Sequence, residues 1–457
     1  MGEAPTEEDG YGAPVEPRAS VSAPRFSEAG ELAEKIMEDA EVNTLSPVVP
    51  HLSLGDPEQH HLLVLVFKAT LGACLLLSAV FIVLLLLFFG SGWNPSWYYW
   101  RVKIGVLDLD GALVGGALRA VANSGKVPFT TVDLSGSTFD SVKQTVDAGH
   151  LNAAWVAMPG ATAQLLAAAA SPTAAYNSAG ALSFIFDEGR GGATMASLLN
   201  GATSNAVSAM SAIVAGAMLH QAAAANASAS ALNVGVLVSP VTATTVNLHP
   251  VRHAGEHTAV GLAFIDYWII TLIITNVNLK LGSLLETKGV RRDEQVLFRI
   301  VFEVLTTGVL ALWPPVVLAG LGAPSAGDQA GISVRQFFAW WAWVWLCLIT
   351  FGSCITFLLR NFGEAVGNLM HTSFLILNLV SGTGVTPSEL MHPFFRIGLG
   401  LPYCQAVQGS RTIIFGSYDR IGRNAGILIA WSAAGISFGL YKRHRFREEL
   451  RRAGHLK

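Results

Sequence analysis

The apolar run at 69–89 constrains this chain more than any other feature. It is 21 residues long and contains no charged side chain. An α-helix rises about 1.5 Å per residue, so about 20 residues cross the roughly 30 Å hydrocarbon core of a bilayer. An aromatic cluster at 93–100 follows, and such rings are typical of headgroup depth. The segment 62–92 is therefore predicted to be the first transmembrane helix.

Five further apolar segments follow a long gap. They are 258–279, 296–320, 336–359, 364–385 and 424–441. The predicted fold class is an α-helical polytopic membrane protein with six transmembrane helices in a 1+5 arrangement and an inserted extracytoplasmic α/β domain at 101–256. The 51% hydrophobic and 13% charged composition fits a membrane protein with a soluble part.

The five-helix domain, 257–441, contains one segment that does not have the pattern of a simple loop. This segment, 391–417, combines Arg396 and Arg411 with several prolines and glycines. Irregular backbone at membrane depth occurs where it is enclosed by protein, so we interpret 391–417 as a re-entrant or interfacial elbow.

The two ends of the chain carry opposite charge. Residues 1–50 contain eleven acidic residues against three Lys and Arg, whereas 442–457 contain seven Lys and Arg. The head is polar and nearly lacks aromatic residues, so 1–61 is predicted to be a disordered acidic tail. The tail 442–457 is predicted to be basic and cytoplasmic.

Lys and Arg in short loops indicate the orientation. The loop 280–294 is basic, whereas the loop 320–334 contains neither residue. The positive-inside rule then places both termini in the cytoplasm and 101–256 outside it, in the plasma membrane or a secretory-pathway membrane. The glycosylation sequon at Asn226 is compatible with this topology.

Residues 101–256 read as short strands alternating with helices, which is typical of an α/β layer domain. The predicted strands are 102–109, 129–134, 153–158, 182–187 and 233–241. The predicted helices are 112–123, 137–148, 160–170 and 193–231. The last of these is uncharged, but its larger apolar residues recur on one face, so we favour a helix packed on the sheet over another membrane span.

The first strand ends in an Asp-x-Asp-Gly sequence that resembles the nucleophile motif of haloacid-dehalogenase-like phosphatases. Asp108 would attack phosphorus and Asp110 would handle the proton, with Ser135 and the acidic Asp187 as supporting groups. A lysine would offset the phosphate charge. The alternative is structural, because Asp and Gly are common where a strand turns into a helix.

A resemblance to a known family rests on three elements. Asn247, Leu248, His249 and Pro250, followed by Val251, lead into the second transmembrane helix; "LPYCQAV" and "RTIIFGS" lie in the elbow; and a strand with an Asp-Gly turn follows the aromatic cluster. Together they resemble the fungal nitrosoguanidine-resistance membrane protein family over about 62–445.

This resemblance implies a multi-pass membrane protein associated with tolerance of toxic compounds. It also implies an architecture similar to ABC-type exporter permeases and phage-infection-type proteins. The chain has no Gly-x-x-x-x-Gly-Lys-Ser/Thr loop, so ATP coupling would require a separate protein.

Ionisable residues inside predicted spans are candidates for a functional role, because a charge in a bilayer costs about 2.5 kcal/mol or more. The candidates are Asp266, Arg299, Glu303, Glu364 and His371. Arg299 and Glu303 are four residues apart and are expected to pair on one helix face. Asp266 is expected about two turns into its helix.

These observations lead to a non-enzymatic membrane protein that exports, or confers tolerance to, toxic amphipathic compounds. The alternatives are a membrane-organising or lipid-homeostasis regulator and an extracytoplasmic Asp-x-Asp phosphatase. No catalytic residue, metal ligand or cofactor is assigned. The implied partners are the lipid bilayer, a second copy in a homodimer and a separate energy-coupling or regulatory protein; nucleic acid is not implied.

Overall fold

The computed structural model describes residues 60–171, 175–224, 233–321, 332–417 and 419–452. Nearly all of the predicted acidic tail and the sequon at Asn226 lie outside these ranges. The contacts divide the chain into two units, 1–78 and 79–457. The described part of the first unit is the beginning of helix α1, and the second unit contains everything else.

Helix α1 comprises His60–Ser91 and contains the predicted first span. Its apolar side chains include Phe81 and Leu86, which are more than half exposed to the surroundings. A helix that is apolar on all sides is typical of a membrane span. A 3₁₀ helix, Pro95–Arg101, carries the aromatic cluster from α1 into the α/β domain.

The α/β domain contains a five-stranded mixed sheet. Its strands are β1 (Lys103–Asp108), β2 (Thr130–Asp133), β3 (Ala153–Ala157), β4 (Leu182–Phe186) and β5 (Ala243–Asn247). Their spatial order is β2-β1-β3-β4-β5. Strands β1, β2 and β3 are parallel, β4 is antiparallel to β3, and β5 is parallel to β4.

Helices cover both faces of this sheet. They are α2 (Leu113–Asn123), α3 (Phe139–Asp147), α4 (Ala161–Ala169) and the long α5 (Glu188–Ala224). All five residues of β3 are buried, so it has no solvent face. Trp155 packs with α2, α4 and α5 on one face, while Val156 packs with α3 on the other. The predicted α/β layer architecture is thus confirmed.

The prediction of a strand at 233–241 was wrong. Residues Val234–Val238 form a short helix, α6, and the fifth strand comes later. The Asn233 side chain accepts a hydrogen bond from the backbone N–H of Val236, which caps this helix. A short apolar run does not by itself distinguish a buried strand from a buried helix.

Helix α5 is long and apolar enough to cross a membrane, yet its buried face belongs to the α/β core. Leu199, Met210 and Val214 are buried in the cluster that contains Trp155. The indole N–H of Trp155 also donates to Thr203 Oγ1 over 2.9 Å. These contacts match the expected helix packed on the sheet.

The remaining helices form the helical domain. Their bounds are α7 Ala254–Gly261, α8 Phe264–Thr287, α9 Arg292–Leu310, α10 Trp313–Leu321, α11 Val334–Ser381, α12 Pro402–Phe415 and α13 Ile421–Arg452. Helix α11 is broken at Gly363, which has φ +76°. Helix α9 ends at Leu310 and α10 begins at Trp313, with Pro314 and Pro315 in its first turn, where proline is tolerated.

Five helical stretches of the described chain are long and apolar enough to cross a membrane. They are Thr70–Ser91, Glu188–Ala224, Phe264–Thr287, Asp293–Gly320 and Val334–Gly363. This set differs from the six predicted spans, since it includes α5. The predicted 364–385 segment corresponds to the shorter apolar helix Val366–Ser381, and 424–441 lies within α13.

The predicted elbow is a 3₁₀ helix, Pro393–Gly400, followed by α12. Helix α12 has 14 residues, fewer than the roughly 20 that a membrane crossing requires. Most of it is buried, including Tyr403 and Arg411. It packs against α11 and α13, so this half of the elbow is internal to the helical domain, whereas Phe394 and Ile397 of the 3₁₀ helix are exposed.

Two leucines of α5 test its packing. Leu199 is 1% exposed and Leu219 is 51% exposed on the same helix. We expect Leu199→Ala to lower the free energy of unfolding by about 2–5 kcal/mol, because it leaves a cavity in the core. Leu219→Ala should change it by only about 0.5 kcal/mol. Denaturation of the purified full chain measures both, and equal effects would contradict packing on the sheet.

Candidate functional site

The Asp-x-Asp turn forms a closed network of hydrogen bonds. Asp108 Oδ1 accepts from the backbone N–H groups of Asp110, over 3.0 Å, and Gly111, over 2.8 Å. Asp108 Oδ2 lies 3.1 Å from the Arg119 Nε. The side chain that would be the nucleophile therefore stabilises the turn and pairs with α2.

Asp110 is engaged by α4. Its carboxylate accepts from the Thr162 hydroxyl and, over 2.8 Å, from the Thr162 backbone N–H. Burial raises the pKa of Asp110, but the hydrogen bonds from Thr162 outweigh it, so the pKa is lowered overall. A general acid needs the opposite shift to hold its proton near neutral pH.

The supporting groups of the phosphatase hypothesis are not brought together. Ser135 Oγ donates to its neighbour Asp133 over 2.7 Å. Asp187 follows β4, which is antiparallel to β3, so it stands at the opposite edge from Asp108. With Phe186 paired to Ala153 and Asp108 to Ala157, the two acids are separated by at least about 13 Å along the strands.

We call the edge that carries Lys103, Phe186 and Asn247 the near edge, because the chain joins the helical domain there. The opposite edge, which carries Asp108, is the far edge. Arg101 donates to the Met391 carbonyl over 2.9 Å. A Cβ atom on Gly189 would lie 2.7 Å from Phe415 Cβ, so α5 and α12 approach closely. The near edge is therefore packed on the elbow.

The predicted junction motif organises this edge. The Asn247 side-chain amide donates to Glu188 Oε2 over 2.7 Å, and the Val251 N–H donates to the same oxygen over 3.1 Å. The His249 carbonyl accepts from the Gly189 N–H over 3.1 Å. Leu248 and Pro250 line a small cavity that reaches α12. The motif thus ties the last strand to the beginning of α5.

His249 lies between two carboxylates. Its Nδ1 is 3.3 Å from Asp187 Oδ2, and its Nε2 is 3.6 Å from Asp147 Oδ1. The adjacent Asp187 carboxylate raises the pKa of His249, Asp147 adds to this, and desolvation opposes it. One potential ligand atom from each of His249, Asp187 and Asp147 lies within 4.8 Å of the other two. Among the described residues, this cluster is therefore close enough together to hold a metal ion.

Two arginines connect the near edge to the helical domain. Arg190 donates to the Leu151 carbonyl over 2.9 Å and lies 3.5 Å from Glu389. Arg411 donates to the carbonyls of Arg190 and Thr383, each over 3.0 Å. The sequence of the elbow pointed to Arg411. Arg190 was not singled out, because its segment, "DEGRGG", draws attention for its acids, and Glu389 lies outside both segments.

Among the intramembrane candidates, Arg299 and Glu303 are linked through a third residue. Asn278 of α8 accepts from Arg299 Nε over 3.1 Å and donates to Glu303 Oε2 over 3.2 Å. Of the ion pairs in the described chain at 4.0 Å or less, none joins Arg299 to Glu303, so the expected direct pairing was wrong. A side chain from another helix is invisible to a spacing rule within one helix.

The other intramembrane candidates have separate environments. His371 is buried and accepts from the Trp268 indole N–H over 2.7 Å. Glu364 follows the break at Gly363, and its side chain lies outside the described part. Asp266 is in the first turn of α8, not two turns in as expected, because α7 forms a separate helix. Its charge is favourable at a helix N-terminus.

Asp266 also lines a large cavity in the helical domain. This cavity has a volume of about 550 Å³ and lies between α7, α8, α10 and α11. Its lining is largely apolar and aromatic, with Tyr267, Trp313 and Trp340 among the rings. Glu256 and Asp266 are its acidic residues, and His253 is its remaining ionisable group apart from Tyr267.

A model of the family described as "Protein of unknown function (DUF3533)" matches residues 73–436. The match extends from the first apolar helix to α13, which is well over half of the chain, so the protein belongs to this family. No curated protein and no solved structure matches the chain. The resemblance to nitrosoguanidine-resistance proteins stays an expectation.

The Asp108 turn is tested with two adjacent glycines of α2. A Cβ atom on Gly115 would lie 1.9 Å from Asp108 Oδ1, whereas one on Gly116 would meet nothing within 4 Å. We expect Gly115→Ala to lower the free energy of unfolding by about 1–3 kcal/mol. Gly116→Ala should raise it by about 0.5–1 kcal/mol. Denaturation curves of the two variants decide this, and a harmless Gly115→Ala would contradict the closed turn.

The His249 pair predicts a pH dependence. A pKa raised above its ordinary 6.5 means that the pairing stabilises the fold fully below pH 6.5 and is lost as pH rises through the folded-state value. Melting temperatures measured across a pH series should show this loss of stability for the wild-type protein. The His249→Gln variant should not show it. His220→Gln, at an exposed position on α5, is the control and should keep the wild-type curve.

Proposed function

We propose that this member of the family binds toxic amphipathic compounds in the cavity beside Asp266 and confers tolerance by exporting them. The observation that carries the proposal is the cavity itself. Ligand pockets typically enclose about 300–1,000 Å³, with apolar walls and few polar groups. A volume of about 550 Å³, lined mainly by apolar side chains, has this character.

The charges at the cavity favour a cationic ligand. Asp266 and Glu256 both line it, and Glu256 is buried while its carboxylate accepts from the Arg252 backbone N–H over 3.0 Å. The rings of Trp313 and Trp340 can contact either an apolar body or a cation. An aromatic or alkyl body with a positive charge would complement both the walls and the carboxylates.

The membrane setting is part of the proposal. Helices long and apolar enough to cross a bilayer flank the cavity, so a compound dissolved in lipid would reach it without passing through water. Both termini are proposed to be cytoplasmic, in the plasma membrane, with the α/β domain outside. The resemblance to exporter permeases supports this arrangement, and a separate protein would supply energy.

A pair of ions with the same shape tests the charge preference. The full chain in detergent is titrated with tetraphenylphosphonium, a lipophilic cation, and with tetraphenylborate, its anionic counterpart. We expect tighter binding of the cation, and Asp266→Asn should weaken it by about tenfold through loss of a charge interaction. Equal binding of both ions by the wild-type protein would overturn the cationic preference.

The position of the site is tested with neighbouring valines of α10. Val317 lines the cavity and is half exposed, whereas Val316 does not line it. Val317→Trp should block binding of the cation, and Val316→Trp should leave it unchanged. In cells, the same Val317→Trp variant should fail to restore tolerance to a deletion strain. Normal tolerance and accumulation in the deletion strain itself would contradict the export proposal.

A further inference from the structure

A further cavity, of about 180 Å³, lies between the near edge and the elbow. We call it the arginine cavity, because four arginines line it: Arg190, Arg411, Arg420 and Arg423. Asp187 and Glu389 are its two acidic lining residues. Arginines thus outnumber acidic residues in this lining, in contrast to the lining of the apolar cavity in the helical domain.

Arg411 is the buried centre of this cavity. It is 7% exposed, and its two terminal nitrogens donate to the backbone carbonyls of Arg190 and Thr383. Its Nε is buried without a hydrogen-bond partner. Within the described chain, Arg411 forms no ion pair at 4.0 Å or less. A buried charge is costly unless an opposite charge accompanies it.

The acids of the cavity already have partners other than Arg411. Glu389 lies 3.5 Å from the Arg190 guanidinium, and Asp187 lies 3.3 Å from the His249 ring. Backbone carbonyls orient the Arg411 guanidinium but supply no full negative charge. Among the described residues, Arg411 is therefore a buried cation without an ion pair, and an anion in the cavity would provide one.

Two more polar groups complete the lining. Ser417 is 1% exposed, and its buried hydroxyl has no hydrogen-bond partner among the described residues. Arg423 donates to the Gln408 side-chain oxygen over 3.1 Å and keeps a guanidinium in the same lining. A buried serine hydroxyl and an arginine fork are both groups that bind phosphate oxygens.

We propose that the arginine cavity binds a phosphate group, carried either by a free phosphate or by the headgroup of a phospholipid. A phosphate would supply the negative charge that Arg411 lacks among the described residues, and its oxygens could accept from the Ser417 hydroxyl. Since one water occupies about 30 Å³ in the liquid, the volume would hold roughly six waters, which is room for one phosphate. Bidentate contact with guanidinium groups gives such sites their selectivity.

The experiment uses the purified full chain in a maltoside detergent, which contains no phosphate. Its melting temperature is measured while inorganic phosphate is titrated, with chloride and acetate as control anions. A second preparation contains added phosphatidic acid in place of inorganic phosphate. Stabilisation by inorganic phosphate identifies a free phosphate as the ligand, and stabilisation by phosphatidic acid alone identifies a lipid headgroup. If neither stabilises the protein more than the control conditions, the proposal is overturned.

Two variants place the binding in this cavity. Ser417→Ala should keep the melting temperature in the absence of phosphate, because the hydroxyl it removes has no partner, but weaken phosphate binding. Arg423→Gln should weaken it by about tenfold or more, through loss of a charge-assisted contact. Arg396→Gln, an exposed elbow arginine outside the cavity lining, is the control. Unchanged phosphate affinity in both cavity variants would overturn the assignment.

Discussion

The buried guanidinium of Arg411 holds the α/β domain and the helical domain together. It donates to one carbonyl from each side, that of Arg190 at the beginning of α5 and that of Thr383 after α11. Because a buried charge requires several well-placed acceptors, this contact demands a specific geometry from both domains. The close approach of Gly189 to Phe415 belongs to the same junction.

The reversal of β4 places the chemistry at this junction. Strands β1, β2 and β3 all run from the near edge to the far edge, so a sheet made only of such parallel strands would end at the far edge. Because β4 and β5 run in the opposite direction, both the aromatic segment before β1 and the motif after β5 meet the helical domain at the near edge. The Asp108 turn lies at the far edge. The Asp108 carboxylate accepts from backbone N–H groups and pairs with Arg119, and the Asp110 carboxylate accepts from Thr162.

The cavity beside Asp266 and the arginine cavity differ in character. The cavity beside Asp266 is large, apolar and weakly acidic, which suits an amphipathic cation entering from lipid. The arginine cavity is smaller and positively charged, which suits a phosphate group. His249 lies at the near edge between Asp187, which follows β4, and Asp147, which ends α3, so it links this edge to α3.

The sequence by itself determined the elements whose signal is local. Apolar periodicity and turn residues predict four of the five strands and the helices that cover them. The apolar helix α1 is apparent from its length and lack of charge, without knowledge of its neighbours. The tertiary structure decided strand direction, the identity of the fifth strand and every contact between distant segments. Asp187 and Asp108 would lie at the same edge only if β4 were parallel to β3, and it is antiparallel. Arg299 and Glu303 are bridged by Asn278, which comes from another helix. The pairing of Arg411 depends on carbonyls 221 and 28 residues away, which no local pattern encodes.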